Sequence, residues 1–89
     1  MTYSDRYSDL LAEKLAKLNK RDPIAHDRIR KKIQGILENP THEYKNLRYD
    51  MSDFKRVHIG HFVLVFIVDH QNKMVWFYDY DHHDKVYER

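Results

Sequence analysis

The chain has 89 residues, 16 lysines and arginines against 14 acids, and no cysteine. That length supports one compact core and not two. Without cysteine there is no disulfide, no thiolate zinc site and no cysteine nucleophile. A net charge of only +2 excludes nucleic-acid binding by bulk charge, so any basic surface has to come from arrangement.

No apolar run is long enough to cross a bilayer, and the opening residues lack the basic-then-apolar order of a secretory signal, so a cytoplasmic protein is expected. With two glycines, two prolines, no low-complexity run and no internal repeat, residues 1–89 read as one domain without a linker.

A short strand is expected at Met1 to Tyr3. From Ser4 to Lys20 the residues Tyr7, Leu10, Leu11, Leu15 and Leu18 recur at helical spacing, with Lys14, Lys17 and Lys20 largely off that stripe. Ser4 or Ser8 can cap this helix. Asp22-Pro23 starts a second helix, because aspartate can accept from free amides and proline at the first helical position loses no bond. It carries Ile24, Ala25, Ile29, Ile33, Ile36 and Leu37 and ends at Asn39-Pro40. The short link between the helices predicts an antiparallel pair.

After Pro40 the pattern changes to alternation, with Val57 and Ile59 on one face of a strand and Arg56 and His58 on the other. Gly60-His61 turns the chain into Phe62 to Asp69, an apolar, β-branched run suited to a central strand. A turn at His70 to Lys73 leads to a last strand, Met74 to Tyr80. The expected fold class is α+β: an N-terminal antiparallel helical hairpin on one face of a three- to four-stranded antiparallel sheet. Arg56 and His58 then lie on the opposite face.

Leu47, the strand Phe54 to Ile59, the turn Gly60-His61-Phe62, the strand Val63 to Asp69 and the closing run Asp81-His82-His83-Asp84-Lys85-Val86-Tyr87 together resemble the C-terminal half of the RelE/ParE toxin superfamily. The helical hairpin ending in Asn39-Pro40 is similar to the family's first half. Two positions depart from it. Val63 stands where many members carry arginine after the turn aromatic, and His83 where many carry arginine in the closing motif.

The resemblance implies the RelE-like fold and the toxin of a type II toxin–antitoxin system. It further implies an endoribonuclease that cleaves mRNA on the ribosome without a metal and is restrained by an antitoxin, in an assembly such as a heterotetramer. Such cleavage needs the 2′-hydroxyl deprotonated, the phosphorane stabilised and the leaving 5′-oxygen protonated. By resemblance Arg56 and His58 hold the phosphate or act as base, His83 serves as leaving-group acid or charge stabiliser, and Tyr87 stacks on a base or positions the nucleophile. Arg48, Lys55, His82 and Lys85 are the accompanying RNA-binding candidates.

The plainer readings are a solvated strand face for Arg56 and His58, surface residues for His82 and His83, and packing for Tyr87. Trp76, Phe77, Tyr78 and Tyr80 read as core and sheet-face packing before they read as a base-stacking platform. The lysines and arginines of residues 14 to 32 read as solvated helix faces. Asp79, Asp81, His82, His83 and Asp84 offer metal donors, but neighbours in a strand point to opposite sides and the spacing matches no established ligand pattern, so no metal or cofactor is expected. Two other functions fit the same fold: a ParE-like inhibitor that binds DNA gyrase, and a catalytically weakened member that only binds a partner.

Overall fold

A computed structural model describes residues 2–48 and 51–87, with the backbone alone for Arg48, Met51, Ser52 and Tyr87. The order of elements is β1 (Ser4–Tyr7), α1 (Asp9–Arg21), α2 (Pro23–Glu38), β2 (Lys45–Arg48), β3 (Met51–Ile59), β4 (Phe62–Asp69), β5 (Met74–His82) and α3 (His83–Tyr87). The sheet has five strands in the order β1-β5-β4-β3-β2. It is mixed, because β1 runs parallel to β5 while the other pairs are antiparallel. The expected sheet of three or four antiparallel strands is thus corrected to five strands with one parallel pair, and the helical pair lies between β1 and β2 in the chain.

The correction has a local cause. Residues 4 to 7, expected to begin the first helix, pair with Met74 to Phe77, and Tyr7 stacks on Phe77 with ring centroids 5.4 Å apart. The strand beginning at Ser4 displaces the one expected at Met1 to Tyr3, of which Met1 lies outside the described residues. Ser8 then caps α1: its hydroxyl accepts from the Leu11 amide at 3.0 Å and donates to the Tyr78 carbonyl. One side chain both starts the helix and ties it to β5. Asp22 caps α2 as expected, its carboxylate accepting from the Ala25 amide, with Pro23 in the first turn.

The main core lies between the helices and one sheet face. It joins Leu11, Ile29, Ile33, Ile36 and Leu37 to Ile59, Leu64, Phe66, Val75 and Phe77. Leu10 and Ile24, placed on the helical stripes by spacing, are exposed. The other sheet face carries a smaller cluster, Leu47, Val63, Val65 and Val86, with Phe54 against it. Val86 belongs to α3, so the tail folds back over the centre of this outer face.

The β4–β5 ladder shifts register between Val65 and Phe66, so that Asp79 faces Val65 and Phe77 faces Phe66 with Tyr78 left over. This bulge changes the alternation. Phe77 and Tyr80, three residues apart, both pack on the helix-side core, while Tyr78 turns outward against Phe54 at 5.2 Å. Of the four aromatics read as packing, Phe77 is buried and Tyr80 half-buried, whereas Trp76 and Tyr78 are each 37% exposed.

Candidate active site

Alternation along β3 fixes the first part of the site. Val57 and Ile59 pack toward the helices, and Arg56 and His58 stand on the outer face opposite Val65 and Val63. The Arg56 guanidinium is oriented at two points. Its Nε donates to the Asn46 carbonyl of β2 at 3.0 Å, and its Nη1 lies 3.4 Å from His58 Nδ1. A guanidinium has no acceptor, so this contact fits the form of His58 whose Nδ1 lone pair is open.

The second part comes from the junction of β5 and α3. His83 donates its amide to the His61 carbonyl at 3.0 Å, which fastens the start of α3 to the β3–β4 turn. His83 Nδ1 lies 2.7 Å from Asp84 Oδ1. That contact orients the ring through Nδ1. His82 Nδ1 is 3.5 Å from the other oxygen of Asp84, and the two imidazole centroids are 4.7 Å apart.

Between these parts lies α3, whose Val86 covers Val63 and Val65, the cross-strand neighbours of His58 and Arg56. Val63 is fully buried there. The position where many RelE/ParE members carry arginine therefore serves, in this chain, as the anchor of the tail. Tyr87 follows Val86 in α3, but its side chain lies outside the described residues, as does that of Arg48.

The remaining predicted residues scatter. Lys55 is one residue from Arg56 and so projects from the opposite face, where its Nζ bonds the Asn46 side chain and it lines a cavity with Tyr44, Lys45 and Glu43. Lys85 lines a cavity of about 310 Å³ with Lys14, Lys17, Arg21, Phe62 and Tyr80, a lining that includes neither Arg56 nor His58. His82 is the cross-strand neighbour of Phe62, with ring centroids 5.7 Å apart, on the face where Phe62 stacks on Tyr80. The structure thus pairs Arg56 with His58 and His82 with His83, and sets Lys55 and Lys85 apart from the first pair.

Lys14, assigned by spacing to a solvated helix face, is the residue that sequence reasoning missed. β1 is shorter than β5, and beyond Phe77 the edge of β5 is met by α1. There Lys14 Nζ donates to Asp79 Oδ1 at 2.7 Å, Asp81 Oδ2 at 3.1 Å and the Tyr80 carbonyl at 3.2 Å. Asp79 is the one buried charged residue among those described, and it also accepts from the Tyr80 amide. Burial pushes the Asp81 carboxyl upward, but the His82 amide and the Lys14 ammonium together hold it below the ordinary carboxylate value. Burial raises the Tyr80 phenol. The triad of Lys14, Asp79 and Asp81 holds the strand that ends in His82.

The sequence model for the ParE toxin of type II toxin–antitoxin systems matches residues 6–87. The chain belongs to the RelE/ParE toxin family. A candidate toxin of Methanocaldococcus jannaschii, RelE4, is 55% identical over 76 residues, covering 84% of this chain and 80% of that protein. An uncharacterised protein of Methanosarcina mazei is 54% identical over 76 residues, 84% of each. The fold is similar to that of E. coli toxin RelE in a mutant free form, with a TM-score of 0.76, 22% identity and coverage of 99% of this chain and 93% of that one. It is also similar to a chain of the toxin–antitoxin complex RelBE2 from Mycobacterium tuberculosis, with a TM-score of 0.75, 19% identity and coverage of 92% and 99%. As a member of this family the chain is a type II toxin, and among its described residues no helix is long and apolar enough to cross a membrane.

Proposed function

We propose that this toxin is an endoribonuclease that cleaves mRNA on the ribosome without a metal, and that a protein antitoxin encoded with it holds it inactive. The observation that carries the reading is the Arg56–His58 pair, a cation and an imidazole 3.4 Å apart on the outer face. A scissile phosphate that draws the guanidinium toward itself frees His58 Nδ1 to accept the 2′-hydroxyl proton, while Arg56 stabilises the phosphorane. His83, with Nδ1 held by Asp84, protonates the leaving 5′-oxygen through Nε2. The ribosome positions the message so that these groups reach it together. Structures similar to this chain include toxin–antitoxin complexes from Mycobacterium tuberculosis and Pyrococcus horikoshii, which supports an antitoxin as partner.

The family model bears the ParE name, and this favours a second reading, inhibition of DNA gyrase by binding. Brief induction of the chain followed by primer extension on cellular mRNA separates the two, run beside a His58→Ala, His83→Ala double mutant. Cuts in translated frames that vanish in the folded mutant are expected. Growth arrest without cuts would favour gyrase, and neither effect would point to a binding protein.

A further inference from the structure

Neighbouring residues of a continuous strand cannot converge on one ion, because their side chains alternate. Between His82 and His83 the strand does not continue. β5 ends at His82 and α3 begins at His83, so the alternation is broken at this bond and the two imidazoles come to one side, 4.7 Å apart. One ligand atom from each of His82, His83 and Asp84 lies within 4.8 Å of the others. Donors bound tetrahedrally to zinc at about 2.0–2.1 Å stand roughly 3.3 Å from one another. His83 Nδ1 lies 2.7 Å from Asp84 Oδ1 and His82 Nδ1 3.5 Å from Asp84 Oδ2, so the carboxylate stands between the two imidazoles and small side-chain rotations bring one donor of each residue to that spacing.

We infer that His82, His83 and Asp84 bind a divalent transition metal of the zinc type, and that the bound metal silences the toxin by occupying His83. The second clause rests on the nuclease reading above; the first does not. Two imidazoles and one carboxylate suit zinc, nickel or copper, and do not suit magnesium, which demands an octahedron of oxygens. The backbone holds one side of the site, since the His83 amide is fixed to the His61 carbonyl. His82 Nδ1 carries an open lone pair that accepts from the Asp84 amide at 3.3 Å, a long hydrogen bond that the ion replaces. On binding, His83 gives up the Nδ1 proton it shares with Asp84, so uptake of the ion releases a proton. Three protein ligands leave a fourth position, and the His61 ring, 6.3 Å from that of His82, is the adjacent imidazole able to approach it; otherwise water fills it.

The test is calorimetric titration of zinc chloride into the tag-free full chain, with magnesium chloride as the contrasting ion. His82→Ala, His83→Ala and Asp84→Asn are compared with His70→Ala, which lies at the far end of the β4–β5 hairpin, and each fold is checked by circular dichroism. One zinc per chain is expected, weakened more than about tenfold by each of the three site substitutions and unchanged by His70→Ala, with no heat from magnesium. Absence of zinc binding, or equal affinity in a folded His83→Ala chain, would overturn the site. On ribosome-bound mRNA, stoichiometric zinc should abolish cleavage and a chelator restore it. Cleavage that persists with zinc bound overturns the regulatory clause; a metal-free chain that never cuts overturns the nuclease reading and that clause together, while the isotherm still decides the site.

Discussion

Replacing Lys14 with methionine keeps the length and apolar stem of the side chain and removes one charge that contacts three oxygens. Asp79, whose side chain is 6% exposed, then loses its contact with the Lys14 ammonium. Breaking a fully buried pair in this way costs about 3–5 kcal/mol. The side chains of Lys14 and Asp81 are 29% and 21% exposed, and Asp79 keeps the Tyr80 amide, so about 2–3 kcal/mol is the fitting figure after allowing for solvent screening. For a domain of this size each kcal/mol moves the melting midpoint by about 4–8 °C. Lys14→Met should therefore lower it by roughly 10–20 °C, read by thermal circular dichroism at pH 7. Asp81 adds a pH signature. Its folded carboxyl is held below the ordinary 3.8, and stability of that kind is present above the ordinary value and lost as pH falls through the folded one. The gap between wild type and variant should narrow below about pH 4 as Asp81 takes up its proton. A shift under about 3 °C at pH 7, or a gap that widens in acid, would mean that Lys14 does not hold the two carboxylates of β5.

Lys17→Met serves as the contrast, because Lys17 pairs with Glu13 while both side chains are well exposed; denaturant titration should register less than about 0.5 kcal/mol. Gly35→Ala should stabilise α2 by about 0.5–1 kcal/mol in urea unfolding, since a methyl group there meets nothing within 4 Å and helical glycine costs backbone entropy. Val63→Arg, although it introduces the residue common in the family, should destabilise by several kcal/mol, on the order of an unpaired buried charge. It should also loosen α3, seen as faster amide exchange at Val86; an arginine tolerated without loss would mean that the outer cluster does not hold the tail.

Much of this fold was legible because it is written in local patterns. The stripe of Leu11, Leu15 and Leu18, the Asp22-Pro23 start and the alternation of Val57 and Ile59 against Arg56 and His58 each need only neighbouring residues to be read. β1 was not legible: Ser4-Asp5-Arg6-Tyr7 has no period, and its strand state comes from parallel pairing with a segment seventy residues away. Lys14 was missed for the same reason, as its partners lie at the far end of the chain. Lys55 is a different case, since the alternation that placed Arg56 outward already placed Lys55 inward. The histidine pair depended on one boundary. Read as strand throughout, His82 and His83 point apart; with the strand ending between them, they meet.

Whether the Arg56–His58 pair cuts RNA is read by single-turnover cleavage of mRNA on programmed ribosomes with purified wild-type and His58→Ala chains. Loss of a general base should slow the cut by about 100- to 10,000-fold while the variant remains folded and still binds the ribosome. A folded His58→Ala chain that cleaves at the wild-type rate would remove His58 from the chemistry, and a wild-type chain that leaves the message intact while inhibiting gyrase would show a gyrase inhibitor and not a nuclease.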